Sequence, residues 1–128
     1  MEYYFSKVIN VSYDEAVRLI TEALKGEGFG VITEINMHDK LKEKLGVDFK
    51  RYKILGACNP SYAFRALQTE DKIGTMLPCN VLVIEQGQNK IEIAAVNPIA
   101  SMEAITNPVL GDLAHQVTGK LKSLIEAL

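Results

Sequence analysis

Runs of β-branched, aromatic and aliphatic residues predict five β-strands along the chain. Such residues fit a pleated and half-buried surface. The polar, glycine-containing segment Gln86–Asn89 separates the last two runs and predicts a hairpin. In the second run, Val31, Thr33 and Ile35 are expected to share one face because side chains alternate along a strand. The predicted strands are Tyr3–Ile9, Phe29–Ile35, Arg51–Ala57, Val81–Glu85 and Lys90–Val96.

Apolar residues at helical spacing predict a first helix from about Tyr13 to Lys25. Ser12 precedes Glu15 by three positions, which is the pattern of a capping box. The glycines at 26, 28 and 30 follow this helix and lead into a strand. A dinucleotide-binding fingerprint has the opposite order, with the glycines between a strand and a helix, so we do not assign one.

Three further helices follow the same reasoning. Asn36 is a candidate cap for a short charged helix that ends at Gly46. Asn59-Pro60 and Asn107-Pro108 each place a capping asparagine before a proline, whose preset φ suits the first helical turn. The resulting order β-α-β-α-β-α-β-β-α predicts one α+β domain over residues 1–128.

Composition narrows the classes of function. A net charge of −2 provides no field that would favour nucleic acid or an acidic membrane surface. The first residues lack the pattern of a signal peptide, and no apolar run approaches the roughly 18 residues that span a bilayer. We therefore expect a soluble, cytoplasmic protein with no nucleic-acid and no membrane partner. Two cysteines are too few for a disulfide framework and are expected to be reduced thiols.

Three segments resemble one known family. They are LGVDF at 45–49, YKILGACNP at 52–60 and IGTMLPCNV at 73–81. Together they are similar to the "domain of unknown function 302" family, and the resemblance extends over nearly the whole chain. It implies a TATA-box-binding-protein-like fold, in which a curved antiparallel sheet of about five strands carries helices on one face. No settled activity comes with it. Asn97-Pro98 stands where the family usually carries Asp-Pro, so no acid role is carried over to Asn97.

The GACNP and PCN segments of this resemblance lie at the ends of predicted elements, where loops present chemistry on a rigid scaffold. If the two segments adjoin in space, they bring two thiols and two amides to the start of a helix. They are therefore the candidate ligand-binding site. Its residues are Cys58, Asn59, Pro60, Pro78, Cys79 and Asn80.

Other interpretations of these residues stay open. The simplest is structural, with both thiols buried as small hydrophobic groups and both asparagines serving as caps or turn residues. A redox or nucleophilic role would fall to Cys58, because the helix start at Pro60 favours a thiolate. A haem or metal site could use Cys58, Cys79, His38 or His115, but their spacing matches no standard ligand motif, and we expect both histidines to be exposed. We therefore assign no metal ligand.

Carboxylates provide no pair for acid–base catalysis. Helix caps and solvated helix faces explain four carboxylates near predicted helices, and none is assigned as catalytic. These are Glu15, Asp39, Glu43 and Asp48.

A sheet with helices on one side leaves an open apolar face, or a gap under the C-terminal helix. Tyr3, Phe5, Ile91 and Ile93 are candidates to line it. A second copy of the chain is expected to cover the open face, which predicts a homodimer. The sequence thus favours a binding or interaction module for a small molecule over an enzyme, with no cofactor identified. The alternative is a thiol-dependent redox protein or a haem- or metal-binding protein.

Overall fold

Five strands form one open antiparallel sheet in the computed structural model, which describes residues 1–128. The strand order is β1-β5-β4-β3-β2, and all four neighbouring pairs are antiparallel. The strands are β1 Tyr4–Ile9, β2 Gly30–Asn36, β3 Tyr52–Cys58, β4 Cys79–Gly87 and β5 Lys90–Val96. The predicted five-stranded α+β sheet is therefore confirmed.

Five α-helices and a 3-10 helix complete the chain. They are α1 Tyr13–Gly26, α2 Met37–Leu45, α3 Pro60–Thr69, the 3-10 helix Asp71–Met76, α4 Pro98–Ser101 and α5 Pro108–Glu126. The sequence pattern did not predict the 3-10 helix or α4, because each is too short to show helical periodicity. No helix is long and apolar enough to cross a membrane.

The core lies between one face of the sheet and the helices α1 and α5. Its largest cluster joins side chains of both helices to alternate residues of β3, β4 and β5. Ile91 and Ile93 are fully buried there, so the prediction that they line an open surface is wrong. Phe5 packs at the edge of this cluster, and Tyr3 is exposed to solvent.

Two of the predicted asparagine and serine caps are confirmed. Ser12 accepts a hydrogen bond from the Glu15 amide at 3.1 Å. Asn107 accepts from the amides of Val109 at 3.1 Å and Leu110 at 3.4 Å, which fixes the start of α5. The other half of the capping box is absent, because the Glu15 carboxylate accepts from Arg18 instead of its own helix start.

The remaining caps differ from the prediction. Neither Asn36 nor Asn59 makes a side-chain cap, although each stands directly before a helix. Gly46 ends α2 as predicted, with a φ of 68° in the left-handed region.

A β-bulge changes the second strand. The register shifts between Val31, which pairs with Ala57, and Thr33, which pairs with Gly56. Adjacent residues of β3 point to opposite faces, so Val31 lies on the helix-covered face while Thr33 lies on the other. The prediction that Val31, Thr33 and Ile35 share a face is therefore wrong. The intervening Ile32 is left 61% exposed.

The second face of the sheet carries no helix of the core, and we call it the open face. The strand register arranges its residues in three rows across the sheet. The first row is Tyr52, Ile84, Glu92 and Val8; the middle row is Ile35, Ile54, Leu82, Ala94 and Ser6; the third row is Thr33, Gly56, Asn80, Val96 and Tyr4.

Candidate functional site

A cavity of about 340 Å³ lies between α3, the 3-10 helix, α5 and the adjoining ends of β3 and β4. Fifteen of its nineteen lining residues are hydrophobic and none carries a charged side chain. The lining residues are Phe29, Ile32, Ala57, Cys58, Asn59, Tyr62, Ala63, Ala66, Leu67, Gly74, Leu77, Pro78, Cys79, Pro98, Met102, Leu110, Leu113, Ala114 and Val117.

The two sequence segments singled out as the candidate site meet at this cavity. Ala57 pairs with Cys79 across β3 and β4, so the end of one segment adjoins the start of the other. Cys58, Asn59, Pro78 and Cys79 all line the cavity.

Two of the six predicted site residues lie elsewhere. Pro60 is exposed at the first position of α3 and does not line the cavity. Asn80 is also outside it, because its position in the register places it on the open face. Side chains alternate along β4, so Cys79 and Asn80 point to opposite sides of the sheet and only Cys79 faces the cavity.

Most of the cavity wall was not predicted as part of a site. Leu110, Leu113, Ala114 and Val117 of α5 form one side, and Leu77 with Met102 adds to it. Helical periodicity identified the apolar stripe of α5, but such a stripe does not distinguish residues that fill a core from residues that border a cavity.

The two thiols differ in environment. Cys79 is buried and Cys58 is half-buried. Burial raises the pKa of the Cys79 thiol to about 11, and the neighbouring Cys58 adds to the shift. Cys79 is therefore a neutral thiol at physiological pH and acts as a small hydrophobic part of the wall.

Asn59 joins the start of α3 to the loop after α1 instead of capping its own helix. Its amide nitrogen donates to the Glu27 carbonyl at 3.5 Å, a long hydrogen bond. The loop passes so closely that a Cβ at Gly28, whose φ is +85°, would lie 3.0 Å from that same nitrogen. The carbonyl oxygen of the Asn59 side chain makes no hydrogen bond within the protein.

Gly56 allows the side chains of Thr33 and Pro78 to lie close to the backbone of β3. A Cβ at this position would lie 2.0 Å from the Thr33 hydroxyl oxygen and 2.6 Å from Cγ of Pro78. The glycine therefore lets the Pro78 ring, which forms part of the cavity wall, pack directly on the sheet.

The histidines do not join the thiols. His38 lies against the start of β3, where its Nδ1 accepts a hydrogen bond from the Tyr52 amide at 2.9 Å, and its side chain is only 20% exposed. The expectation that His38 is exposed is wrong for this reason. His115 is exposed on α5. No three histidine, cysteine, aspartate or glutamate side chains are grouped so that they could hold a metal ion.

Asn97 is a buried structural hub next to the cavity. Its amide nitrogen donates to the Glu2 carbonyl at 2.9 Å, while its oxygen accepts from the Ile99 amide at 3.1 Å and from the Thr118 hydroxyl at 3.3 Å. These bonds tie the N-terminal segment, α4 and α5 together behind the cavity residue Pro98.

The chain is similar in sequence to proteins of one family. The sequence model of the family described as "Domain of unknown function DUF302" matches residues 5–128. An uncharacterized protein of Aquifex aeolicus (strain VF5) is 23% identical over 94 residues, which are 73% of this chain and 59% of that protein, so the chain spans less than two thirds of its relative.

A solved structure agrees over the full length of the chain. The crystal structure of an uncharacterized conserved protein DUF302 from Bacillus stearothermophilus superimposes with a TM-score of 0.89 at 28% identity, covering 98% of each chain. The two chains therefore share one fold.

Proposed function

The chain belongs to the family described as "Domain of unknown function DUF302", and because that description assigns no activity, we propose from the cavity itself that the protein binds a small, uncharged, largely apolar molecule. The observation that carries the proposal is an apolar cavity of about 340 Å³ without a charged side chain in its wall. Ligand pockets commonly have volumes of roughly 300–1,000 Å³ and walls of this composition.

The size and the wall define the class of ligand. At about 30 Å³ per water-sized atom, the cavity holds on the order of ten non-hydrogen atoms. A charged group inside it would lose its hydration with no opposite charge to compensate, so the buried part of the ligand is neutral. The ligand is therefore of the size of a small terpenoid or a short alkyl or aromatic compound.

The polar atoms of the wall lie together at one end. Cys58 ends β3, and Asn59 and Tyr62 lie at the start of α3, whereas α5 contributes only apolar side chains and the 3-10 helix contributes Gly74. The free side-chain carbonyl of Asn59 can accept one hydrogen bond from a ligand. The wall exposes almost no polar surface to the cavity, so the ligand that we propose is apolar over most of its length and has at most one polar group, on this side.

The entrance lies between the bulge in β2 and α3. Ile32 and Leu67 both line the cavity and are 61% and 45% exposed. An apolar rim of this kind favours entry of a ligand with low solubility in water.

An uncharged fluorescent naphthylamine dye tests the proposal directly. The chain contains no tryptophan, so the dye fluorescence is read without that background. Ala63→Phe places a ring in the cavity from the half-buried wall of α3, and we expect it to weaken dye binding at least tenfold. Native mass spectrometry of the freshly purified protein and solvent extraction would then identify a bound molecule.

Ala104→Phe is the matched control, because Ala104 is exposed and outside the cavity. It should bind the dye within twofold of the unmodified protein, and both variants should melt within a few degrees of it. Equal dye binding by Ala63→Phe and Ala104→Phe, with both folded, would refute a ligand site in this cavity.

The thiol-dependent alternative has one supporting observation, which is that both cysteines line the same cavity. The high pKa of Cys79 opposes it, because a neutral thiol is a poor nucleophile and a poor metal ligand. An absorption spectrum and metal analysis of the purified protein test the haem and metal forms of this alternative.

A further inference from the structure

The cavity lies between two separate hydrophobic clusters. The main cluster joins the sheet to α1 and the C-terminal half of α5, and it contributes Phe29, Ala57, Cys79 and Val117 to the cavity wall. A smaller cluster contains four buried residues, and it contributes Ala66, Leu110 and Leu113 to the same wall. The cavity therefore marks a boundary at which the packing of the main core stops.

Residues 60–77 form one wall of the cavity, and we call them the flap. They include α3 and the 3-10 helix. β3 leads into the flap and β4 follows it, and these two strands are paired at Ala57 and Cys79. The flap therefore leaves the sheet and returns to it at neighbouring positions, so it is joined covalently to the rest of the fold at one place only.

Polar contacts do not hold the flap closed. Its side-chain hydrogen bonds have both partners inside it: Thr69 with Arg65, Lys72 with Asp71 and Thr75 with Lys72. Its backbone hydrogen bonds are also internal, except that the Ala63 amide donates to the Asn59 carbonyl in the first turn of α3. At the base of the flap, the Asn59 side chain donates to the Glu27 carbonyl at 3.5 Å. Opening of the flap therefore breaks at most one long hydrogen bond to the rest of the fold.

Apolar packing holds the flap closed instead, and it is limited. Only Ala66 and Ile73 of the flap are buried. Both belong to the smaller cluster, together with Leu110 and Leu113 of α5. Tyr62 is the only flap residue that also packs against the main cluster. A segment with little buried apolar surface and no strong hydrogen bonds to its surroundings opens at a lower free energy than the whole protein unfolds.

We propose that the flap opens as a unit about its base to admit and release the apolar ligand, and closes over the ligand between the two clusters. The proposal rests on the ligand site proposed above and adds the step that controls access to it. Leu67 of the flap and Ile32 of β2 border the entrance, so movement of the flap away from the sheet widens it. A bound apolar molecule contacts both clusters only when the flap is closed, and it therefore favours the closed form.

Hydrogen exchange of the backbone amides, followed residue by residue by NMR, measures the opening of the flap. Ile73→Val shortens a side chain of the smaller cluster outside the cavity wall, and it should speed exchange of the flap amides by about two- to tenfold. Ile20→Val is the matched control, because Ile20 is equally buried but belongs to α1 and the main cluster. It should leave exchange in the flap unchanged, because the flap opens without unfolding of the main core.

The uncharged naphthylamine dye tests whether the flap controls access to the cavity. At ten times its Kd, the dye should slow exchange in the flap about tenfold, because it binds the closed form. In stopped-flow measurements, Ile73→Val should raise the association and dissociation rates of the dye by the same factor as the exchange rate. The Kd should stay within twofold of the unmodified protein, because Ile73 does not line the cavity.

Three results would overturn the proposal. Equal acceleration of flap exchange by Ile73→Val and Ile20→Val would show that the flap opens only when the whole protein unfolds. Unchanged flap exchange in the presence of bound dye would show that the ligand enters without the flap, and the ligand site would stand. Absence of dye binding would refute the ligand site itself, and with it the role of the flap.

Discussion

Gly56→Ala should destabilise the protein, although it adds only one methyl group. The new Cβ would lie 2.0 Å from the Thr33 hydroxyl oxygen and 2.6 Å from Cγ of Pro78. Thr33 can rotate its hydroxyl away, but the Pro78 ring is rigid and has to retreat by roughly 1 Å to restore ordinary contact. Because Pro78 lines the cavity, the same movement changes the ligand site.

The magnitude follows from two opposing effects. Overpacking of this kind costs about 1–3 kcal/mol, while replacing glycine with alanine lowers the entropy of the unfolded chain and returns about 0.4–1 kcal/mol. We therefore expect the free energy of unfolding to fall by about 1–2 kcal/mol. For a chain of this length that is a drop of roughly 4–8 °C in melting temperature.

Urea denaturation followed by circular dichroism measures the change, with Gly26→Ala as the control. A Cβ at Gly26 meets no atom within 4 Å, and the residue ends helix α1, so alanine there should leave stability unchanged or raise it by up to about 1 kcal/mol. In the Gly56→Ala background, Thr33→Ala should restore part of the loss because it removes one of the two overlaps. If Gly56→Ala is as stable as the unmodified protein, the close packing of Pro78 on the sheet is refuted.

Three further predictions concern single side chains. Asn97→Ala should lower the free energy of unfolding by about 1–3 kcal/mol, because it leaves buried hydrogen-bonding groups without partners. A loss below about 0.5 kcal/mol in urea titrations would mean that these three hydrogen bonds do not stabilise the fold. Asn107→Ala should lower the free energy of unfolding by about 0.5–2 kcal/mol because it removes a helix cap. Asn59→Ala should lower it by less than about 0.5 kcal/mol because Asn59 makes one long hydrogen bond and no cap; equal losses in thermal melts would mean that both residues are caps. Stability should fall as pH rises from about 9 to 11, because the folded protein holds the Cys79 proton more tightly than the unfolded chain does; this decline should be smaller in Cys79→Ala, and an identical decline in both proteins would show that Cys79 is not its source.

The strands and long helices were predictable because their residues repeat with the period of the element. For α5, for example, the Asn-Pro pair predicts where the helix begins, and the apolar stripe predicts that the same segment is helical. The bulge at Ile32 was not predictable, since one extra residue in a strand leaves the local composition unchanged. The same holds for Asn59, whose partner Glu27 is 32 positions away and cannot be inferred from the residues around it.

The site was predictable only in part. The segments around Cys58 and Cys79 adjoin because β3 and β4 pair, which the strand pattern suggests but does not position. The cavity itself depends on α3, α5 and the 3-10 helix failing to close completely over those strands. That is a property of three-dimensional packing, and no local pattern distinguishes it from a filled core.

The strand order has a consequence for folding. β2, β3, β4 and β5 are neighbours in the sheet in the same order as in the chain, so each pairing closes a short segment. β1 is different, because its Ile9 pairs with Ile91 across most of the chain. Closing a long loop costs entropy before its contacts form, and β1 occupies an edge of the sheet with only one neighbour. The meander should therefore assemble first, and β1 should be the last strand to pair with the sheet during folding.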